Sequence, residues 1–226
     1  MRLLLVAATA AEVEPLVTRL GGATPLQRVT SVSTPRHQVD VLVTGVGMVS
    51  TATWCARVLA QAPPPDLALN VGLCGSFTLE FEPGAVVNVA TDELPELGAE
   101  DGSRFLSLAE LGLVGADAAY FKDGRLTSPA PPASDTLRGL PIARGITVNT
   151  VHGDDASIAR VLERARPHVE SMEGAAFMYS CLTANVPFAQ VRAVSNRVER
   201  RNRAAWQIPK SLQALTSTVE SIVAEL

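Results

Sequence analysis

Glu12 stands where an apolar run, Arg2–Ala8, gives way to a helical pattern, with Glu14 two residues further on. A carboxylate there can favour the macrodipole of the helix whose first turn it occupies. Held at the carboxyl end of a strand, it can instead act as general base on water. Glu173, in Ser171-Met172-Glu173-Gly174-Ala175-Ala176, precedes an apolar helix that has to be buried. A buried carboxylate without a partner is costly or shifts its pKa strongly. Its partner is either an arginine or a pair of vicinal ribose hydroxyls, whose two O–H groups one carboxylate can accept. Val191–Asn196 is an apolar segment ending in Ser195-Asn196. An amide presents a donor and an acceptor side by side, which matches one edge of a purine, although both residue types also form caps and turns. Asn70–Ser76 brings Gly72 and Gly75 to the end of another apolar run. Glycine there suits a tight turn or the close approach of a ligand, and the spacing is no dinucleotide fingerprint. Arg197, Arg200, Arg201 and Arg203 form a basic run that is a solvated face or, at a cleft edge, an anion site.

These residues need a frame that sets them side by side. Strands are expected at Arg2–Ala8, His37–Thr44, Leu67–Val71, Gly84–Ala90, Gly145–Val151 and Pro187–Ser195. Helices are expected at Ala11–Leu20, Ser50–Gln61, Ala156–Arg166, Gly174–Ala184 and Trp206–Leu226. Alternation of this kind predicts a three-layer α/β/α fold around a central mixed, mostly parallel twisted sheet. In such folds the chemistry sits at the carboxyl ends of strands. Four strand ends are rich in polar residues or glycine: Ala8–Glu12, Gly72–Phe77, His152–Asp155 with Ser171–Glu173, and Ser195–Asn202. The stretch Asp92–Pro141 has weaker patterning, and Ser128–Pro132 reads as a loop.

Composition narrows the function classes. The chain has 226 residues, 47% hydrophobic and 19% charged, enough apolar material for one domain spanning 1–226 and too little charge for disorder. Its net charge of −4 gives general nucleic-acid binding no support. Cys55, Cys74 and Cys181 form no CxxC pair, and His37, His152 and His168 have no metal spacing, so neither a metal nor a disulfide frame is expected. The apolar stretch from Met1 stops at Glu12, short for a secretory signal, and reads as a buried first strand. No run approaches a membrane span of about 20 residues. A cytoplasmic protein without membrane partners is expected.

Taken together, the pieces Ala8–Glu14, Thr44-Gly45-Val46-Gly47, Asn70–Gly75, Met172-Glu173-Gly174-Ala175 and Val191–Asn196 resemble the nucleoside phosphorylase/nucleosidase superfamily. The branch is that of the 5′-methylthioadenosine/S-adenosylhomocysteine nucleosidases. The resemblance implies a homodimeric enzyme that needs no cofactor and cleaves the N-glycosidic bond of a small purine nucleoside. It implies that Glu12 activates water, that Glu173 with Met172 holds the sugar, and that Cys74 and Gly75 line the base pocket. Ser195 and Asn196 would meet the purine's N7 edge, and Trp206 would pack on the base. A neighbour's loop, within Asp92–Gly139, would close the 5′ side.

Two departures sharpen that expectation. Adenine-cleaving relatives carry Asp where Asn196 stands. An amide accepts from a protonated N7 and donates to a 6-oxo group, the pattern of hypoxanthine, and the wrong edge leaves buried groups unpaired at about 1–3 kcal/mol each. Ser171 stands where relatives have a second glutamate. The run Ser195–Asn202 is similar to enzymes of the alternative menaquinone pathway that release hypoxanthine from a nucleoside bearing a 5′-side benzoate, which Arg104, Arg197, Arg201 or Arg203 would pair. The loop Ala8–Glu12 carries no cation. Like charges about 4 Å apart repel by about 4 kcal/mol at an effective dielectric of 20, so water rather than phosphate is the expected nucleophile. An amide is no general acid, so the N7 proton comes from solvent or another group.

Overall fold

The computed structural model describes residues 1–113, 115, 119–128 and 132–226; positions 129–131 of the expected Ser128–Pro132 loop lie outside them. In chain order the first half runs β1 (Arg2–Ala7), α1 (Ala10–Arg19), β2 (Val29–Ser33), β3 (Gln38–Val43), α2 (Met48–Leu59), β4 (Leu67–Ser76) and β5 (Val86–Glu93). A small hairpin, β6 (Gly98–Asp101) and β7 (Arg104–Ser107), is followed by β8 (Phe121–Lys122), β9 (Arg125–Thr127) and α3 (Asp135–Gly139). The chain then forms β10 (Ile142–Thr147), α4 (Asp155–Arg164), β11 (Val169–Ser171), α5 (Gly174–Ala184), β12 (Phe188–Arg197) and α6 (Ile208–Glu225). No helix among the described residues is long and apolar enough to cross a membrane.

Period-two alternation on β1 explains the layers. Leu3, Leu5 and Ala7 face one core with Val13, Leu16 and Val17 of α1 and Leu215, Val219 and Ile222 of α6. Leu4 and Val6 face the other, with Cys55 and Leu59 of α2 and Phe177, Met178 and Cys181 of α5. Both faces of the strand are covered, so its apolar run is continuous rather than alternating. The sheet is mixed, in the order β2-β3-β1-β4-β11-β10-β5-β9-β8. β12 pairs parallel with β4 and antiparallel with β5. Five strands thereby close into a ring, β4-β11-β10-β5-β12, and the candidate site residues lie on or beside it.

Several expected boundaries move, as where Gly145–Val151 becomes Ile142–Thr147, and one of them bears on the site. β4 does not stop at Val71 but continues through both glycines to Ser76. The reason is crowding rather than turning. A Cβ on Gly72 would lie 2.5 Å from Arg192 Nη1 and 2.8 Å from Glu12 Oε1. One on Gly75 would lie 2.9 Å from Val198 Cγ2. Glycine within a strand marks the close approach of another group, and here both glycines do.

Candidate active site

Glu12 sits in the first turn of α1, and the helix-end reading and the site reading describe the same side chain. Its Oε2 accepts the Thr9 backbone N–H and the Thr9 hydroxyl, both at 2.9 Å, while Oε1 accepts the Leu73 N–H at 3.0 Å. The cap therefore locks the rotamer and ties β1's carboxyl end to β4. Glu173, at the N-cap of buried α5, accepts the Gly47 N–H at 3.1 Å and lies 3.5 Å from Arg192 Nη1. Arg192 is 1% exposed. Its guanidinium reaches Leu73 O at 3.4 Å, Gln190 Oε1 at 3.0 Å and the Asn70 side-chain oxygen. Arg192 thus pairs with Glu173, while Glu12 approaches it across the space that Gly72 leaves open without forming an ion pair. The absence of a cation in the Ala8–Glu12 loop is true of the sequence but not of the space beside it.

Behind Arg192 runs a buried polar chain. Gln190 donates to Asp92 Oδ2 at 3.1 Å, Thr147 donates to Asp92 Oδ1 at 2.9 Å, and the Ala175 N–H donates to Thr147 Oγ1 at 2.7 Å. Burial pushes Asp92 up to about 6, against the pull of Gln190, Thr147 and Arg192. Gly174 leaves room for this chain, since a Cβ there would lie 2.2 Å from Asp92 Oδ2. Ser171, whose hydroxyl accepts the Gly174 N–H at 3.3 Å, serves the entry to α5. Met172, next to Glu173, is half-buried.

A cleft of about 110 Å³ opens at the carboxyl ends of β4 and β12, lined by Gly75, His152, Glu170, Asn196, Arg201 and Trp206 among others but not by Glu12, Met172, Glu173 or Arg192. A register shift between Val194 and Asn196 turns the end of β12 and sets Asn196 opposite Gly75. The Asn196 amide is oriented at both ends: Oδ1 accepts from Ser195 Oγ at 2.7 Å and Nδ2 donates to Arg197 O at 2.8 Å. Each end keeps one further bonding capacity for a ligand. Ser195 Oγ also lies 3.1 Å from Cys74 O. Burial pushes the Cys74 thiol up to about 12, and its side chain packs in the apolar core with Phe81, Val89 and Val194 instead of lining this cleft, contrary to the expectation that it would face the base.

The structure thus gathers Glu12 and Glu173 around Arg192, and Gly75, Asn196 and Trp206 around the cleft. Of the four candidate arginines, Arg104 pairs with Glu110 at 2.7 Å on the β6–β7 hairpin and Arg197 pairs with Glu82. Arg201 lies over Trp206, 5.4 Å from its ring centroid. Arg203 is exposed in the 3₁₀ turn Arg203–Ala205. Arg192 and Glu170 escape the sequence reading, the first inside the long apolar strand β12 and the second in the three-residue β11. A cation flanked by Val191 and Ala193 was the available signal.

A family model described as Phosphorylase superfamily matches residues 2–226. Futalosine hydrolase of Acidothermus cellulolyticus is 33% identical over 222 residues, covering 94% of this chain and 86% of its own. Futalosine hydrolase of Streptomyces coelicolor is 32% identical over 185 residues, covering 80% and 76%. In three dimensions the chain is similar to a Helicobacter pylori MTAN variant solved with 5′-methylthioadenosine in its active site. The TM-score is 0.78 at 13% identity, with 100% and 99% of the two chains covered.

Proposed function

The chain belongs to the phosphorylase superfamily, and we propose that it hydrolyses the N-glycosidic bond of futalosine, releasing hypoxanthine, in the alternative menaquinone pathway. The observation that carries hydrolysis is the Glu12–Arg192–Glu173 set. Glu173 pairs with Arg192, whereas Glu12, across the space that Gly72 leaves open, has no ion-pair partner among the described residues, so the place where a nucleophile would stand keeps an uncompensated carboxylate. That repels a phosphate dianion and suits a neutral water whose proton Glu12 removes. Glu173 accepts the ribose hydroxyls and, with Glu12, stabilises the positive charge that develops on the sugar as the bond stretches. The base leaves in the cleft against Trp206, with Asn196 donating to O6 and accepting from N7–H. The substrate's 5′ arm lies toward the groove of Met48, Leu94, Glu96, Leu97, Thr147 and Asn149. Base release from futalosine, aminofutalosine, inosine and methylthioadenosine, with and without phosphate, tests the reading. Turnover that requires phosphate, or release of adenine only, overturns it.

The identity of the base rests on Asn196. Asn196→Asp should lower the preference for hypoxanthine over adenine nucleosides at least tenfold, because a protonated carboxyl donates to N7 and its second oxygen accepts from a 6-amino group. A ratio of kcat/KM values that does not move would make Asn196 structural.

The active unit is a homodimer in this reading. Val46 and Val49, on the loop and first turn beside Glu173's Gly47, are 56% and 79% exposed, and a second copy would cover them. Light scattering should give twice the chain mass, and a monomer mass sinks the assignment.

A further inference from the structure

Glu170 is a buried carboxylate on the cleft wall to which the proposed reaction gives no task. It is 4% exposed and lies on β11, opposite Gly75 of β4. Asn196 lies opposite the same glycine on β4's other side. Glu170 Cγ and Asn196 Nδ2 are each 3.5 Å from the point a Cβ on Gly75 would occupy. The two side chains therefore converge over the one residue that has no side chain to separate them.

His152 fixes the carboxylate. Its ring Nδ1 is 2.6 Å from Glu170 Oε2, and its backbone N–H donates to Oε1 at 3.1 Å. The ring is itself held edge-on by Phe77, with centroids 6.0 Å apart. Burial raises the Glu170 pKa, while the hydrogen bond and charge of His152 lower it. A carboxylate has about four lone-pair positions, so these contacts leave capacity on the cleft side.

A 6-oxopurine presents the acceptor O6 beside the donor N1–H, whereas a 6-aminopurine presents a donor beside an acceptor N1. Two acceptors facing each other across N1 leave both unpaired in a buried site. The geometry points to Glu170, positioned by His152, as the acceptor of the purine's N1–H, and hence as a second determinant of 6-oxopurine selectivity alongside Asn196. The inference rests on the base cleft of the proposed reaction and deepens it.

Binding of free hypoxanthine and adenine by calorimetry separates the inference from the reaction. The full-length protein should bind hypoxanthine at least tenfold tighter than adenine, and 1-methylhypoxanthine, which lacks N1–H, should bind as weakly as adenine. In Glu170→Gln the preference for hypoxanthine over adenine should fall tenfold to a hundredfold, because a carboxamide turns a donor toward an adenine N1 as readily as an acceptor toward N1–H. Equal losses for the two bases, as a merely structural pair would give, overturn the proposal, and so does an unchanged ratio. Should Glu170→Gln fail to fold, His152→Ala keeps the carboxylate but loosens it, and the ratio should fall severalfold; a constant ratio overturns the proposal there too. Failure of the unaltered protein to cleave any nucleoside would count against the hydrolase reading, while the base-binding ratio still decides this one.

Discussion

Glu12→Gln should lower kcat about 10²- to 10⁴-fold while leaving KM within a few-fold, the loss expected when a general base is removed and substrate contacts stay. The side chain's surroundings make the substitution informative. Glu12 accepts from the Leu73 N–H on one oxygen and from Thr9 on the other. A glutamine keeps one acceptor and turns its NH₂ toward a donor at the other end. The fold therefore loses about 1–2 kcal/mol from one unpaired group, far less than would unfold a domain of this size. Single-turnover base release together with a thermal melt separates the two effects. Unchanged turnover in a folded Gln variant removes the base assignment and leaves Glu12 as a helix cap alone.

The dual duty of Glu12 also shows what the sequence could convey. A carboxylate in a first turn reads as a cap, and it is one; that it also touches Leu73 depends on β1 and β4 being neighbours in the sheet. Long apolar elements were legible, and Gly174–Ala184 forms α5 with the expected ends because its apolar residues admit no exposed alternative. β11 was not, since three residues, Val169-Glu170-Ser171, carry no usable period. Nor was β2, whose pattern is mostly exposed at the sheet's edge. The two glycines of β4 read equally as a turn or as room for a ligand because glycine's freedom is a local property, whereas the crowding by Arg192 and Val198 that selects them is not. Arg192 was legible in principle: a cation inside the apolar run Val191–Val194 needs carboxylates, and an arginine was one of the two partners open to Glu173. Joining the two requires β12 to lie beside β4, which the closed ring supplies and no local signal announces.

Arg192 is also where the largest loss of stability is expected. Arg192→Met leaves Glu12, Glu173, Asn70 Oδ1 and Gln190 Oε1 facing an apolar side chain. Breaking a buried charge network by removing one member costs about 3–5 kcal/mol. At about 2–4 °C per kcal/mol for a chain of this length, the melting temperature should fall by about 6–20 °C. Turnover should fall by at least a hundredfold as well, because the two carboxylates lose the charge that holds them apart in a fixed geometry. The pH dependence distinguishes lost charge from lost packing. Burial, the dominant influence, raises Asp92 from 3.8 to about 6, and Arg192 is among the groups that hold it down. Between about pH 4 and 6 the folded state binds more protons than the unfolded one. The stability this group contributes is thus complete below pH 4 and lost as pH rises through 6. Without Arg192 the Asp92 pKa moves further up. The deficit in melting temperature should therefore be larger at pH 8 than at pH 5. Arg192→Lys keeps the charge but cannot reach Asn70, Gln190, Leu73 O and Glu173 together. It should melt closer to the parent, with a deficit that is nearly the same at both pH values, and still lose most of its turnover. Equal deficits for the Met variant at pH 5 and 8 would mean that Arg192 acts by volume alone, and the electrostatic account of the Glu12–Glu173 pair would fail with it.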